Sequence, residues 1–371
     1  MNVCLIGYGL TSLFLAKALA NLDIGVTIHF EKKRQFLSKN RTLAISQDNF
    51  KFIEEKIIKL KKIKLWPVDK MEIYISKNKK NLSKILDFNN SSSNLFFVVK
   101  NNDFYKLLEN DLKKNKKIKK KIIRNISFYS KLFKSNSYDL IINCESNNTI
   151  SKNLFYNKFY KDYKTISYVT TIDHKSCTNK NASQVFTKLG PVAFLPVSKN
   201  KTSVVYSIKK QKIQNINTFS QNEFKELIFE YNKNYKIQSV GKFEKFNLNF
   251  SLPRKYFENK ILAFGDNLHK VHPLAGQGFN MTLRDIKTFI EIITEKKMLG
   301  LEINNSIFQE FQYKTKHFNF LFASGIDFIN GFFGIENKYF NDLSLRFFNK
   351  LNNNKVFKDL FIDYANKGFK I

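Results

Sequence analysis

The sequence predicts an α/β protein with three parts. These are a Rossmann-type nucleotide-binding domain, an inserted and mostly antiparallel β-sheet domain, and a C-terminal helical region. Three observations predict this. A short apolar run, Asn2–Ile6, passes through Gly7-Tyr8-Gly9 into a segment with helical spacing. A second strand–glycine–helix unit recurs far along the sequence, at Lys260–Ile293. Between the two lie β-rich stretches with short connections.

Taken in order, Asn2–Ile6 reads as a buried strand. Leu10–Leu22 reads as a helix, with Leu13, Ala16, Leu19 and Ala20 at helical spacing. Ile24–Phe30 is a second strand, ending at Glu31, so the first thirty residues have the length of a nucleotide-binding βαβ unit. Asp48–Leu60 and Asp103–Leu112 read as helices; Met71–Ser76, Phe96–Lys100 and Tyr138–Asn143 read as strands. Tyr163–Ile172, Val185–Lys188, Val192–Val197 and Thr202–Ile208 form the β-rich middle. Lys260–Phe264 is again a short buried strand, and Asn280–Ile293 is amphipathic, with Leu283, Ile286, Ile290 and Ile293 on one face. The last fifty residues read as helical and Phe-rich. The predicted division is therefore discontinuous. Residues 1–70, 97–162 and 245–318 form the nucleotide-binding domain, 71–96 and 163–244 the substrate domain, and 319–371 the helical region.

The chain carries 63 Lys+Arg against 31 Asp+Glu, a formal charge of +32. Such a charge draws nucleic acid, anionic membrane or acidic substrates. Lys and Phe are abundant while Gly, Pro and Trp are scarce, which is the joint mark of codon drift toward A and T. The run Lys113–Lys121 lacks the glycine and aromatic spacing of an RNA-recognition motif and reads as solvated surface. No nucleic acid is expected as a partner, whereas a basic surface suits an anionic bilayer. Cys4, Cys144 and Cys177 stand too far apart for a disulfide framework or a zinc site, so a reduced, intracellular protein is expected. No run approaches the roughly 18 uncharged apolar residues of a transmembrane helix, and no signal peptide is expected.

The first chemical motif is Gly7-x-Gly9-x-x-Ser12. Gly7 permits the tight turn, and Gly9 lets backbone approach a pyrophosphate at a helix N-terminus. Ser12, where a third glycine is usual, is small enough for close helix–strand packing. Glu31, at the end of the next strand, stands at the separation expected of a carboxylate on an adenosine ribose. These residues alone do not separate FAD from NAD.

The second motif runs Gly265-Asp266-Asn267-Leu268-His269-Lys270-Val271-His272-Pro273-Leu274-Ala275-Gly276-Gln277-Gly278-Phe279-Asn280. It closely resembles the second FAD motif of the para-hydroxybenzoate-hydroxylase-like flavin monooxygenases, G-D-A-A-H-x-x-x-P-x-x-G-Q-G-x-N. Only Asn267 and Leu268 depart from it. Physically, Asp266 at a strand end can accept hydrogen bonds from ribityl hydroxyls. Gly276-Gln277-Gly278 admits backbone close to a planar ring and opens a helix whose N-terminus favours negative charge. The resemblance implies FAD, held by Gly7, Gly9, Ser12, Glu31, Arg41, Gly265, Asp266, Pro273, Gly276, Gln277, Gly278 and Asn280. It assigns no catalytic residue and gives His269 no role as a base. His269 and His272 have no acidic third ligand beside them, so no metal is expected.

Further segments resemble the ubiquinone-biosynthesis hydroxylases of that family. They are Arg41-Thr42-Leu43-Ala44-Ile45-Ser46, Leu65-Trp66, Gln184–Pro196 and Gly325–Phe333. The resemblance covers nearly the whole sequence. It implies an FAD-dependent monooxygenase that uses O2 to hydroxylate the ring of a polyprenylated phenol. It also implies a cytoplasmic protein, peripheral on the inner membrane, beside other ubiquinone-biosynthesis proteins. Two departures stand out. The central family segment D-L-V-V-G-A-D-G reads Asp139-Leu140-Ile141-Ile142-Asn143-Cys144-Glu145-Ser146 here, and Asn102 replaces a frequent arginine. Both leave FAD binding intact as an expectation and leave NAD(P)H as electron donor open. Other readings stay open too: a hydroxylase of a small soluble aromatic, a prenyl reductase on the same fold, or a non-catalytic partner of a quinone-synthesis complex. The Phe-rich segment Phe318–Ile335 reads as a buried helix, with a membrane face as the alternative.

Overall fold

The structure is a computed structural model. It describes residues 1–31, 40–78, 81–89, 94–125, 128–129, 132, 137–212, 220–232, 234–339, 348 and 350–368. The fold opens with β1 (Asn2–Ile6), α1 (Leu10–Asn21) and β2 (Gly25–Phe30). There follow β3 (Thr42–Ser46), α2 (Gln47–Phe52), β4 (Trp66–Val68), β5 (Lys70–Asn78), β6 (Asn81–Asn89), β7 (Phe96–Lys100) and α3 (Asn101–Lys113). Next come β8 (Ile118–Ile122), β9 (Leu140–Asn143), α4 (Thr149–Leu154), β10 (Lys158–His174), β11 (Asn181–Phe186), β12 (Pro191–Ser198) and β13 (Lys201–Lys209). Then follow α5 (Gln221–Tyr231), β14 (Ile237–Val240), β15 (Glu244–Pro253), β16 (Phe257–Glu258) and β17 (Ile261–Ala263). The helices α6 (Gln277–Met298), α7 (Ser306–Tyr339) and α8 (Lys355–Lys367) complete it.

Three sheets result among the described residues. The first has the order β16-β17-β9-β1-β2-β8, parallel except for the β16–β17 pair. Its central strands β17, β9 and β1 are short, largely apolar runs because both faces are covered; Val3, Cys4, Leu5, Leu140, Ile142, Leu262 and Ala263 are solvent-free. The second sheet has the order β14-β10-β13-β12-β11-β5-β6, with β15 also on β10, and is antiparallel except where β11 meets β5. The third is small, β3-β7-β4.

Several expectations shift in detail. Lys113–Lys121 is not all solvated surface, since Ile118–Ile122 is the edge strand β8 on β2. Its lysines do what edge lysines commonly do, discouraging pairing with another molecule. The helix expected over Asp48–Leu60 stops earlier: α2 passes into a π-helical turn, Ile53–Ile57, and Ile58 is extended. The strand expected over Tyr163–Ile172 is longer at both ends and carries a bulge between Asp162 and Thr165. The Phe-rich segment is two-faced. Phe322, Ile326 and Phe333 are buried, while Phe320, Leu321 and Phe328 face solvent.

One turn fixes the second sheet's geometry. Thr187 and Gly190 exchange backbone hydrogen bonds, and Gly190 has φ +140°. A Cβ there would lie 2.0 Å from the Ser207 carbonyl oxygen. Gly190→Ala is expected to lower stability by roughly 3 kcal/mol, read as an earlier urea midpoint with an unchanged slope.

Candidate active site

Four adjacent parallel strands end at one edge of the first sheet. Ile6 of β1 lies opposite His29 of β2 and Asn143 of β9, and Asn143 lies opposite Ala263 of β17. The residues that follow are Gly7, Glu31, Cys144-Glu145 and Gly265-Asp266. The motifs read separately in sequence therefore emerge side by side. They do so at the carboxyl ends of the strands, where the strand order changes direction about β1, the position at which open α/β sheets bind ligands.

Gly7 donates its N–H to the His29 carbonyl and has φ +107°, which favours glycine. A Cβ on it would stand 3.5 Å from Ser12 Oγ and from Glu145 Oε2, so the altered central motif reaches the first glycine. Gly9 caps α1 without a side-chain hydrogen bond, and the first turn holds no acid. A Cβ on Gly9 would meet nothing within 4 Å. Ser12 is fully buried, and its hydroxyl, beside the Cys144 thiol, has no nitrogen or oxygen partner. An open, uncapped helix N-terminus beside an orphaned hydroxyl fits a pyrophosphate. Glu31 is partly buried and accepts from the Tyr129 hydroxyl at 3.1 Å.

The second motif locks onto the first. Gly265 has φ +63°, and a Cβ on it would lie 2.6 Å from Thr11 Cγ2 in the first turn of α1. Asp266 is exposed and has no hydrogen bond or ion pair among the described residues, which fits a carboxylate that takes hydroxyl donors. Sequence reasoning missed the device beneath it. Asn143 is fully buried and bonds Asn148 and Ser151, while its carbonyl accepts from Phe264 N and Asn267 Nδ2. The departure from the usual glycine of that central motif thus replaces a bare turn with an asparagine clasp.

The helix α6 opens at Gly276, which has φ +65° and no side-chain cap. A Cβ there would lie 2.9 Å from Ala44 Cβ on β3, and one on Gly278 would meet Val271 at 3.6 Å. Pro273 precedes the short turn Leu274–Gly276 and accepts from Gly276 N. The Gln277 side-chain carbonyl is buried without a partner. This second uncapped N-terminus, with its orphaned carbonyl, fits the polar edge of a flavin ring. Arg41 is exposed at the start of β3, whose Thr42 hydroxyl bonds Ser203 on β13, so the small sheet faces the large one here.

Asn280 stands differently from its neighbours. Its Oδ1 accepts from Ser46 N and Asn49 Nδ2, both at 3.0 Å, and its Nδ2 donates to the Ala44 carbonyl at 2.9 Å. The side chain is spent on β3 and α2, so it positions the loop rather than facing a ligand. His269 Nε2 lies 2.6 Å from Asp285 Oδ2, and Asn319 holds the other oxygen at 2.9 Å. That buried arrangement anchors the loop after Asp266.

His272 packs edge-on against Tyr163, and burial pushes its imidazole down to about 3. The ring is neutral in the folded state and titrates near 6.5 when unfolded. Between these values the unfolded state binds more protons. Its contribution to stability is therefore complete above about pH 6.5 and is lost as pH falls toward 3. The thermal midpoint is expected to fall between pH 6.5 and 4, and His272→Gln should flatten that part of the profile.

Residues 139–296 match the model of the FAD-binding domain family. That stretch, less than half of the chain, is similar to an FAD-binding domain. Within this domain lie the asparagine clasp and the whole second motif; Gly7–Ser12 lies outside the match but packs on it through Thr11. The chain is similar to the ubiquinone hydroxylase UbiL of Rhodospirillum rubrum, 27% identical over 38% of this chain and 33% of that protein. It is similar to the mitochondrial ubiquinone biosynthesis monooxygenase COQ6 of Drosophila melanogaster, 23% identical over 56% of this chain and 50% of that one. It is similar to the 3-demethoxyubiquinol 3-hydroxylase of Escherichia coli, 27% identical over 39% and 37%. These matches span between a third and a half of the relatives' length. Among solved structures, p-nitrophenol 4-monooxygenase PnpA of Pseudomonas putida has the same fold, with a TM-score of 0.75 at 10% identity over 100% of this chain and 98% of that one. Klebsiella pneumoniae HpxO, complexed with FAD and uric acid, gives 0.72 at 10% over 99% and 97%. The α/β fold is therefore one shared with FAD-dependent monooxygenases.

Proposed function

We propose that the protein is an FAD-dependent aromatic-ring hydroxylase acting on a polyprenylated phenol of ubiquinone biosynthesis, with O2 as cosubstrate and NAD(P)H as electron donor. The observation that carries this is the meeting of the two glycine motifs at one sheet edge, through Gly265 against Thr11. The names of the partial relatives supply the substrate class. FAD supplies the oxygen chemistry when bound. The protein's own residues do the rest. The α1 N-terminus would hold the pyrophosphate, Asp266 the ribityl hydroxyls, and the uncapped α6 N-terminus the polar edge of the flavin ring. Leu195, Phe250 and Leu274 share one buried apolar cluster, which keeps water out beside the turn that opens α6.

A surface patch supports docking on the bilayer that holds such a substrate. Tyr160 and Phe328 are 58% and 71% exposed, and Phe159 contacts Phe320 between β10 and α7. Arg254 and Lys158 stand over Phe159 and Tyr160, so cations rim an apolar surface. Among the described residues no helix is long and apolar enough to cross a membrane. Leu321→Ser with Phe328→Ser is expected to weaken binding to anionic vesicles by about tenfold or more, with the flavin spectrum unchanged.

The test of the function is turnover. FAD-loaded protein, NAD(P)H and a prenylated phenol in vesicles should consume O2 and yield the ring-hydroxylated product. Hydroxylation of a soluble phenol, with none of the prenylated one, would replace this substrate by a small aromatic.

A further inference from the structure

A cavity of about 290 Å³ lies between α2, α6, α7 and the end of α8, and none of the residues assigned to FAD lines it. Arg284 of α6 lies in its wall. The guanidinium rests on the Phe322 ring, 4.3 Å from its centroid. It makes no hydrogen bond and no ion pair among the described residues, and its Nη1 is buried without a partner. Burial holds the group down at about 10. The adjacent Asp285 offsets this only in part and makes no ion pair with Arg284, since its two oxygens are engaged by His269 and Asn319. A buried cation left unpaired is costly to a fold, and where one faces a cavity it marks a place for an anion.

In the rest of the wall, Lys314 is paired with Glu295 and Glu310, Lys367 with Asp363, and Asp285 with His269 and Asn319, so Arg284 and Lys287 stand against Asp48 and Glu291. Phe318 and Phe322 give one apolar side, and Asn366 a polar one. The volume is at the lower end for small-molecule pockets, roughly 300–1,000 Å³. A guanidinium matches a planar carboxylate through two parallel hydrogen bonds.

We propose that this cavity binds a small organic carboxylate, its charge on Arg284 and its apolar body against Phe318 and Phe322. The site is separate from the FAD edge but joined to it. Arg284 neighbours the Asp285–His269 pair that anchors the loop after Asp266, so occupancy bears on how firmly that loop is held.

The experiment is calorimetric titration of the full-length, FAD-loaded protein with benzoate and, separately, with inorganic phosphate. Benzoate should bind the parent at one site, with phosphate at least tenfold weaker. Arg284→Met should weaken benzoate at least tenfold. Asn366→Asp should do the same while leaving Arg284 in place, because it adds a carboxylate to the wall and keeps the oxygen that accepts from Gln47 N. If Arg284→Met does not fold, Asn366→Asp decides alone. Benzoate binding unchanged by the variants would overturn the proposal by moving the ligand elsewhere. Phosphate binding as tightly as benzoate would overturn the carboxylate class, and no binding of benzoate would overturn the site.

Discussion

Gly9→Asp is expected to leave the folded protein at least as stable as the parent while abolishing retention of FAD. The two effects separate because the position is open. A Cβ on Gly9 meets nothing within 4 Å, and the residue's φ of −86° and ψ of 178° suit any L-residue. Aspartate is a better N-cap than glycine, by a few tenths of a kcal/mol, so α1 should gain slightly. The same carboxylate occupies the N–H groups that a pyrophosphate needs and sets like charge against it. Juxtaposed like charges cost several kcal/mol, about a hundredfold or more in FAD affinity. Thermal unfolding of the apoprotein and fluorescence titration with FAD check the two halves. Loss of both stability and FAD would mean that Gly9 is needed by the fold rather than by the ligand.

Asn280→Leu should behave in the opposite way. It removes the acceptor for Ser46 N and Asn49 Nδ2 and the donor to the Ala44 carbonyl, inside a fully buried contact between α6, β3 and α2. Leaving such groups unpaired should cost on the order of 3 kcal/mol. The loss should be the same size with and without FAD, because the side chain faces the protein. A variant of normal apo stability with weakened FAD binding would return Asn280 to the ligand.

These two variants also show how far the sequence could be read. The strand–Gly7–helix–strand unit was legible because an unbroken apolar strand, two glycines and a 3.6-residue period leave few alternatives. Gly265–Gly278 was legible as a site for the same reason, since two of its three glycines, Gly265 and Gly276, stand where a Cβ would collide. The role of Asn280 was not legible, because its partners lie more than 230 residues away in sequence. The Asn143 clasp could have been noticed. A polar residue closing the buried run Leu140–Asn143, with Asn148 and Ser151 following at five and eight residues, is an odd choice unless they bond. The strand β8 was hidden by its lysines, which edge strands tolerate and buried strands do not. The two-faced α7 was readable in principle. Tyr313 and Phe320, like Leu321 and Phe328, are seven apart and fall on one solvent-facing stripe.

The arrangement also explains why the altered central motif need not abolish the cofactor site. Glu145 approaches Gly7, but Asn143 and Ser151 hold its turn through the Glu145 N–H and carbonyl. The strand end keeps its place beside β1 through the Cys144 N–H to the Ile6 carbonyl.

The most direct test of the central claim is the visible absorption spectrum of the purified protein after incubation with FAD and removal of the excess. The account predicts an oxidised-flavin spectrum near one FAD per molecule, with FAD released on denaturation and no flavin retained by Gly9→Asp. A parent protein that stays colourless would contradict it, because the convergence of the two glycine motifs would then hold no flavin.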